Sequence, residues 1–209
     1  ISFATGHSIS PVDTPVSYDE TFDSFSFVVT RTFSEKGPAS QGWTFGAGPF
    51  WQNEKRDGPG VPPAYGEATA LYLTGSYRDI RFRVYSEEGV AYGLNWQGAR
   101  KGLVSDYNYS ALNGYFSRYL AVGETPHQNV NFLVDFGGYF DGPDGITTYG
   151  VGGSSNLRAY DANFIEGNAY YVLATEYVRP IGWPWLRAAA ILEAGNAFAR
   201  PQDISGSRI

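Results

Sequence analysis

Apolar and polar residues alternate with a period of two along most of this 209-residue chain. Ile80, Phe82 and Val84, for example, fall on one face of an extended segment. Arg81 and Arg83 fall on the other, because successive side chains of a strand point in opposite directions. Runs with this pattern occupy positions 24–33, 43–52, 68–77, 78–85, 92–96, 106–120, 129–140, 168–179 and 185–199. We therefore predict an all-β chain of about nine antiparallel strands joined by glycine- and proline-rich turns.

The predicted strands are long and poorly charged. Several run for about 8–14 residues, whereas strands of globular sheets average about 5–6 and membrane-crossing strands need about 9–11. Aromatic residues lie near strand ends, as in the girdles of outer-membrane barrels: Trp43, Trp51, Tyr72, Tyr77, Tyr115, Tyr119, Trp183 and Trp185. The chain holds only three lysines, too few for the charged outer face of a soluble sandwich. The pattern predicts an antiparallel transmembrane β-barrel, or a large part of one. A soluble β-sandwich or a lectin-like, glycan-binding barrel is the alternative.

Composition argues against several other classes of protein. A net charge of −6 disfavours a nucleic-acid-binding surface. The absence of cysteine removes disulfides, thiolate chemistry and cysteine-ligated zinc. No window approaches the ~18 apolar residues of a transmembrane helix. His7 and His127 stand apart from any ligand pattern, and no nucleophile or nucleotide-binding motif occurs. We expect no metal, no cofactor and no enzymatic activity.

The domain organisation follows from where the alternation is weak. Residues 1–22 alternate poorly and contain Pro11 and Pro15, so we predict an N-terminal segment or loop followed by a β-barrel domain over 23–209. A glycine-rich stretch at about 141–167 interrupts the strand rhythm. The chain begins at Ile1 without a signal-peptide pattern. We expect a mature or partial chain whose barrel lacks its C-terminal strands.

The region 152–195 resembles the BamA/TamA-type outer-membrane barrel superfamily, also called bacterial surface antigens. That superfamily carries, in order, a Gly-Gly pair before a Leu-Arg-Gly-Tyr-like loop motif, then Gly-Asn, Glu-Tyr-Arg-x-Pro and an acid shortly before a glycine. The corresponding residues here are Gly152-Gly153, Leu157-Arg158-Ala159-Tyr160, Gly167-Asn168, Glu176-Tyr177-Val178-Arg179-Pro180 and Glu193-Ala194-Gly195. The resemblance extends more loosely back to about Gly89.

The resemblance implies that Arg158 is the latch of an inward-folded loop, with Glu176 and Glu193 as its partners on the next two strands. The residues give independent reasons for this hypothesis. An arginine fork binds carboxylates well. A charged side chain pointing at lipid costs about 2–4 kcal/mol or less, depending on its depth. Both glutamates alternate with more apolar residues, so we expect both to face the barrel lumen.

The chain departs from the pattern of the superfamily in three ways. Ala159 stands where the family has glycine, so the loop is strained if that position needs a positive φ. The periplasmic domains of the family are absent. Full relatives have sixteen strands, and the last three would come after Ile209.

The resemblance implies an integral protein of a bacterial or organellar outer membrane that inserts barrel proteins or moves polypeptides across that membrane. The mechanism would be non-covalent, because a client strand can add to a weakly closed seam of the barrel. Its implied partners are outer-membrane lipid, client polypeptides or barrel proteins, and other subunits of an assembly. The alternative function is a passive pore, or a structural subunit of an outer-membrane assembly without insertase activity.

Overall fold

The structure, a computed structural model, describes residues 2–9, 19–34, 41–57, 66–82, 86–102, 104–142, 149–154 and 156–201. Strands dominate these residues, and no α-helix occurs among them. Accordingly, no helix in this part of the chain has the length and apolar character needed to cross a membrane.

Twelve strands make up the regular structure of the described residues. They are β1 (Ser2–Ile9), β2 (Asp19–Ser26), β3 (Val29–Phe33), β4 (Gly42–Asp57), β5 (Gly66–Phe82), β6 (Ser86–Ala99), β7 (Tyr109–Ala121), β8 (Asn129–Phe140), β9 (Tyr149–Val151), β10 (Ile165–Gly167), β11 (Ala169–Ile181) and β12 (Trp183–Phe198).

Nine of these strands follow one another in a single antiparallel sheet, in the order β1-β2-β4-β5-β6-β7-β8-β11-β12. β3 pairs with β4 beside this path, and β9 and β10 form a separate two-stranded hairpin. The prediction of an all-β, antiparallel chain is therefore confirmed. Within the described residues the sheet is open, because β1 and β12 form its two edges and are not paired with each other. A closed barrel is thus not what this part of the chain forms by itself.

The strand boundaries differ from the predicted ones in three main places. The run 24–33 was expected as one strand, but it is divided between β2 and β3. The runs 68–77 and 78–85 were expected as separate strands, but β5 continues through Phe82, and residues 83–85 lie outside the described part. Residues 2–9 are strand β1, paired with β2, where a loop was predicted. Alternation reports a difference between the two faces of a sheet, whereas backbone pairing does not require it, so the pattern missed this strand.

The strand registers divide the side chains of the main sheet between two faces. The apolar face carries Trp43, Phe45, Leu71, Leu73, Tyr77, Tyr92, Leu94, Trp96, Leu112, Phe116, Val130, Phe132, Val134, Phe136, Leu173, Tyr177 and Leu192. The polar face carries Thr44, Gln52, Glu54, Tyr72, Thr74, Ser76, Asn95, Gln97, Asn113, Ser117, Asn129, Asn131, Asp135, Glu176 and Glu193.

Several positions on these two faces show burial that is the reverse of the usual distribution in soluble domains. On the apolar face Leu94 is 52% exposed and Leu192 is 76% exposed. On the polar face Asn129 is 1% exposed and Glu54 is 5% exposed. The polar side chains therefore shield one another, while large apolar side chains stand uncovered.

A small core on the polar face forms where the connection between β6 and β7 folds back over the sheet. Tyr107 and Tyr109 are buried with Tyr139 above a floor of alanines. Gln52 donates a 2.6 Å hydrogen bond to the Tyr107 hydroxyl. Burial raises the pKa of Tyr107, and this hydrogen bond lowers it by less. The backbone N–H of Asp106 donates to the carbonyl of Glu67 at 2.9 Å, which ties the connection to β5.

The connections at the two ends of the sheet differ in length. At one end, the strand ends of β3–β4, β5–β6, β7–β8 and β11–β12 are separated by one to eight residues of sequence; we call this the short-turn end. At the other end, the strand ends of β1–β2, β4–β5, β6–β7 and β8–β11 are separated by eight to 28 residues; we call this the long-loop end. The hairpin β9–β10 belongs to the longest of these connections, so the predicted loop at about 141–167 arises at the long-loop end.

A break between two strands depends on one glycine. β2 ends at Ser26 and β3 begins at Val29, and both pair with β4. In the gap, the N–H of Phe27 donates to the carbonyl of Pro49 at 3.1 Å. A Cβ at Gly48 would overlap the carbonyl oxygen of Phe27, so any side chain at position 48 would displace the backbone.

We predict that Gly48→Ala lowers the free energy of unfolding by about 1–3 kcal/mol, because backbone must move to admit the methyl group. Gly75→Ala is the matched control: its Cβ would meet only the Phe45 ring, at 3.4 Å. That variant should be neutral or more stable by about 0.4–1 kcal/mol. Denaturant midpoints followed by tryptophan fluorescence measure both effects. Equal losses in the two variants would show that the break does not depend on Gly48.

Candidate functional site

The loop that carries the family-like motif lies on the polar face of the sheet. The hairpin β9–β10 forms its base, and Val151 at the end of β9 is completely buried. Val151 packs with Leu157 of the loop and Val172 of β11, beside Tyr170 and Ala197. Leu157 therefore acts as the apolar anchor that seats the loop against β11 and β12.

Two glycines and one asparagine shape the turn before the anchor. Gly152 and Gly153 have φ values of 132° and 93°, which favour glycine. The Asn156 side-chain oxygen accepts hydrogen bonds from the N–H groups of Gly152 at 2.7 Å and Leu157 at 2.8 Å. Its amide donates to the carbonyl of Gly150 at 3.3 Å. Sequence reasoning missed Asn156, although an asparagine in a small-residue stretch is a known turn former.

Ala159 causes no backbone strain in this loop. The described non-glycine residues with positive φ are Val104, His127, Asp141 and Asn163. Since Ala159 does not belong to that set, the conformation that would need glycine does not arise. Tyr160 of the motif is 50% exposed and its ring lies 4.8 Å from that of Phe164, so it covers the loop surface and does not contribute to the buried anchor.

Arg158 and Glu193 form the polar contact between the loop and the sheet. The Arg158 Nε lies 3.0 Å from Glu193 Oε1. The backbone N–H of Arg158 donates to Glu193 Oε2 at 2.8 Å. The Glu193 side chain is only 11% exposed, and that of Arg158 is 43% exposed. Both carboxylate oxygens of Glu193 thus contact Arg158, one through its guanidinium group and the other through its backbone N–H.

Glu176 does not join this contact, in contrast to the expectation that both glutamates bind Arg158. The registers place Glu193 opposite Ala174 and Glu176 opposite Ile191, two positions further toward the short-turn end. Diagonal neighbours of this kind lie roughly 7–8 Å apart. Because Leu157 seats the loop at Val172, Arg158 arrives at Glu193 and stops short of Glu176.

Glu176 instead lines a cavity of about 360 Å³ on the polar face. Tyr119, Asn129, Asn131 and Arg187 line the same cavity. Across the described ranges, Glu176 forms no hydrogen bond or ion pair. The two glutamates therefore share a face but have different surroundings.

A second set of polar contacts supports the base of the loop. The Tyr149 and Tyr170 rings lie 4.8 Å apart. The Tyr170 hydroxyl donates to Asp135 at 2.8 Å. Burial raises the pKa of Tyr149, and a hydrogen bond with Asn113 lowers it by less. These residues link the loop to β7, β8 and β11, and no sequence motif indicated them.

The arrangement is suited to holding a loop in place. It combines an apolar anchor, a half-buried ion pair and a tightly bonded turn. Within the ranges that the structure describes, no three histidines or acids gather as metal ligands would.

Comparison with known proteins gives a limited result. No family model matches the chain. The chain is 32% identical over 102 residues to the alpha-methylacyl-CoA racemase of Mus musculus. The match covers 44% of this chain and 26% of the racemase, so the chain spans about a quarter of the length of that curated relative. This short match does not establish a family for the chain.

We predict that Glu193→Gln lowers the free energy of unfolding by about 1–2 kcal/mol, because it removes the charged acceptor of Arg158. The matched control Glu176→Gln should change it by less than about 0.5 kcal/mol. Each substitution is combined with Arg158→Ala in a double-mutant cycle, which isolates the pairwise coupling. For Glu193, the coupling should equal the side-chain ion-pair part of the loss, because Arg158→Ala keeps the backbone N–H that donates to Glu193. For Glu176, the coupling should be near zero. Equal coupling to both glutamates would contradict the assignment.

Proposed function

We propose that this chain forms the wall, or a large part of the wall, of a transmembrane β-barrel in a bacterial or organellar outer membrane. The observation that carries the proposal is the distribution of charge on the apolar face. From β4 to β12, the charged residues of that face lie near strand ends: Lys55, Glu67, Asp79, Arg81, Glu88, Arg118 and Arg179. The middle of the face is an uncharged band that crosses seven neighbouring strands.

A soluble protein would have to cover this band. Contiguous exposed apolar patches on soluble monomers rarely exceed a few hundred Å². No second layer covers the apolar face in the described residues, because the hairpin β9–β10 packs on the polar face. A lipid environment removes the need for a covering layer and favours the observed pattern of apolar outside and polar inside. This argument favours the membrane barrel over the soluble sandwich.

Aromatic side chains near the ends of the band support the same proposal. Trp43 lies at the short-turn end of β4, with its ring centroid 5.1 Å from Tyr77 and 5.6 Å from Tyr92. Trp183 and Trp185 stack at the same end of β12, with their rings 5.4 Å apart. Such residues mark the level of lipid headgroups in membrane barrels.

The orientation of the proposed barrel in the membrane follows from the unequal lengths of the connections at the two ends of the sheet. Outer-membrane barrels have short periplasmic turns and longer extracellular loops. The short-turn end then faces the periplasm, and the loop with Arg158 enters the polar interior from the outside. In this arrangement the ion pair between Arg158 and Glu193 holds the loop within the barrel.

We further propose a role in inserting barrel proteins into the membrane or moving polypeptides across it. The resemblance of the region 152–195 to the BamA/TamA superfamily supports this role, as does the contact of Arg158 with an acid on a following strand. β12 has only one neighbour in the described sheet, so its free backbone groups offer pairing to a client strand. A passive pore or a structural subunit of an outer-membrane assembly, without insertase activity, is the alternative.

The membrane proposal predicts a strong difference between two neighbouring substitutions at the middle of β7. Phe116 lies on the apolar face and Ser117 on the polar face. Phe116→Arg should cost about 2–4 kcal/mol on insertion into lipid, whereas Ser117→Arg should cost little because it faces water. Folding into phosphatidylcholine vesicles, followed by heat-modified gel mobility, measures this. If both variants fold equally well in buffer, without needing lipid or detergent, the membrane proposal is wrong.

The insertase and pore functions predict different results in the same vesicles. An insertase should raise the rate at which an unfolded client barrel inserts, and the rate should fall with Arg158→Ala if the loop matters. A passive pore should release a small entrapped dye without any effect on client insertion. Dye release with an unchanged client rate would leave the pore as the function.

A further inference from the structure

Four arginines stand on the apolar face near the short-turn end. They are Arg31 of β3, Arg81 of β5, Arg118 of β7 and Arg179 of β11. The registers place Arg31 opposite Phe45, Arg118 opposite Phe132 and Arg179 opposite Ala188. All four are exposed. They therefore project from the same face as the uncharged band, at one of its borders.

Among the described residues, one of these arginines forms an ion pair with a neighbouring acid. Arg81 forms a 2.9 Å ion pair with Glu88 on the adjacent strand. In the part of the chain that the structure describes, Arg31, Arg118 and Arg179 form no ion pair. The guanidinium carbon of Arg31 lies over the Phe33 ring, 4.8 Å from its centroid. We call Arg31, Arg118 and Arg179 the arginine belt.

The opposite border of the band has a different charge. At the long-loop end, the apolar face carries Lys55 together with Asp23 and Glu67. There the acids outnumber the base, whereas the short-turn end has an excess of cations. The asymmetry cannot arise from solubility alone, because both ends would be equally close to water.

We propose that the arginine belt binds the phosphates of anionic phospholipid headgroups in the leaflet at the short-turn end. This inference rests on the proposed membrane location and adds a lipid partner to it. A guanidinium offers paired N–H donors that match phosphate oxygens. Long side chains at the border of a hydrophobic band extend toward the headgroups. Each basic side chain near an anionic membrane surface raises the affinity for that surface, relative to a neutral one, by roughly fivefold at most.

One strand provides both a reporter and its control. Trp43 and Trp51 lie on the apolar face of β4. Trp43 is next to the short-turn end of the strand, and Trp51 is eight residues further toward the long-loop end. Trp43 stacks on Phe45 with centroids 5.6 Å apart, beside the Arg31–Phe33 pair. Two variants of the whole chain would keep either Trp43 or Trp51 and carry phenylalanine at the other four tryptophans.

The experiment compares quenching of each tryptophan by two brominated lipids. The chain is reconstituted in phosphatidylcholine vesicles that contain either brominated phosphatidylglycerol or the same fraction of brominated phosphatidylcholine. We expect the anionic lipid to quench Trp43 about twofold more effectively and Trp51 equally. The triple substitution Arg31→Gln, Arg118→Gln and Arg179→Gln should abolish the difference at Trp43. The corresponding triple lysine variant should retain it, and Lys55→Gln should not affect it.

The possible results separate this inference from the proposed function. Quenching of Trp43 by both lipids to the same degree would overturn the arginine belt and leave the membrane location standing. No quenching of either tryptophan would place the chain outside the bilayer and overturn both. If the single-tryptophan variants do not fold, total fluorescence of the original chain and of its triple glutamine variant gives the same comparison.

Discussion

The backbone ladder of the antiparallel sheet decides which side chains share a face, and the other features of the structure depend on that division. Once the registers are set, the charged residues in the middle of the strands from β4 to β12 fall on the polar face. A shift of one residue in any pair would exchange the faces of a whole strand. The sheet therefore presents a large energetic difference between correct and shifted registers only if its two faces meet different solvents. In the proposed membrane location, lipid on one side and water on the other would provide that difference.

The loop contact uses the same division. Glu193 is mostly buried beneath the loop, and an isolated buried carboxylate would be costly. Arg158 offsets that cost with a charge and a backbone N–H from a single residue. The contact is made to β12, which has one neighbour in the described sheet. Gly167 also lies so close to the Phe198 backbone that a Cβ there would overlap it. The loop thus gives additional support to a strand that has only one hydrogen-bonded neighbour in the described sheet.

Much of this architecture could be predicted because strand periodicity is local. The alternation around Phe132 and Phe116 predicted their strands, and the segment 186–194 was correctly expected to be strand despite its alanines. β1 was missed because its residues lack alternation. The choice between Glu176 and Glu193 could not be made from sequence, since it depends on where Leu157 meets Val172 across the sheet. Asn156 was missed for a similar reason, because its three hydrogen bonds exist only once the turn has closed.

The number of strands constrains how such a sheet can close. Nine consecutive antiparallel strands leave β1 and β12 running in the same direction. Joining these edges directly would require one parallel pair, whereas bacterial single-chain barrels have even numbers of antiparallel strands. An antiparallel closure needs an odd number of further strands between the two edges. In the described sheet, β12 pairs with β11 on one side and has no paired strand on the other. In the proposed barrel, Glu193 would therefore couple the loop to the edge at which further strands pair.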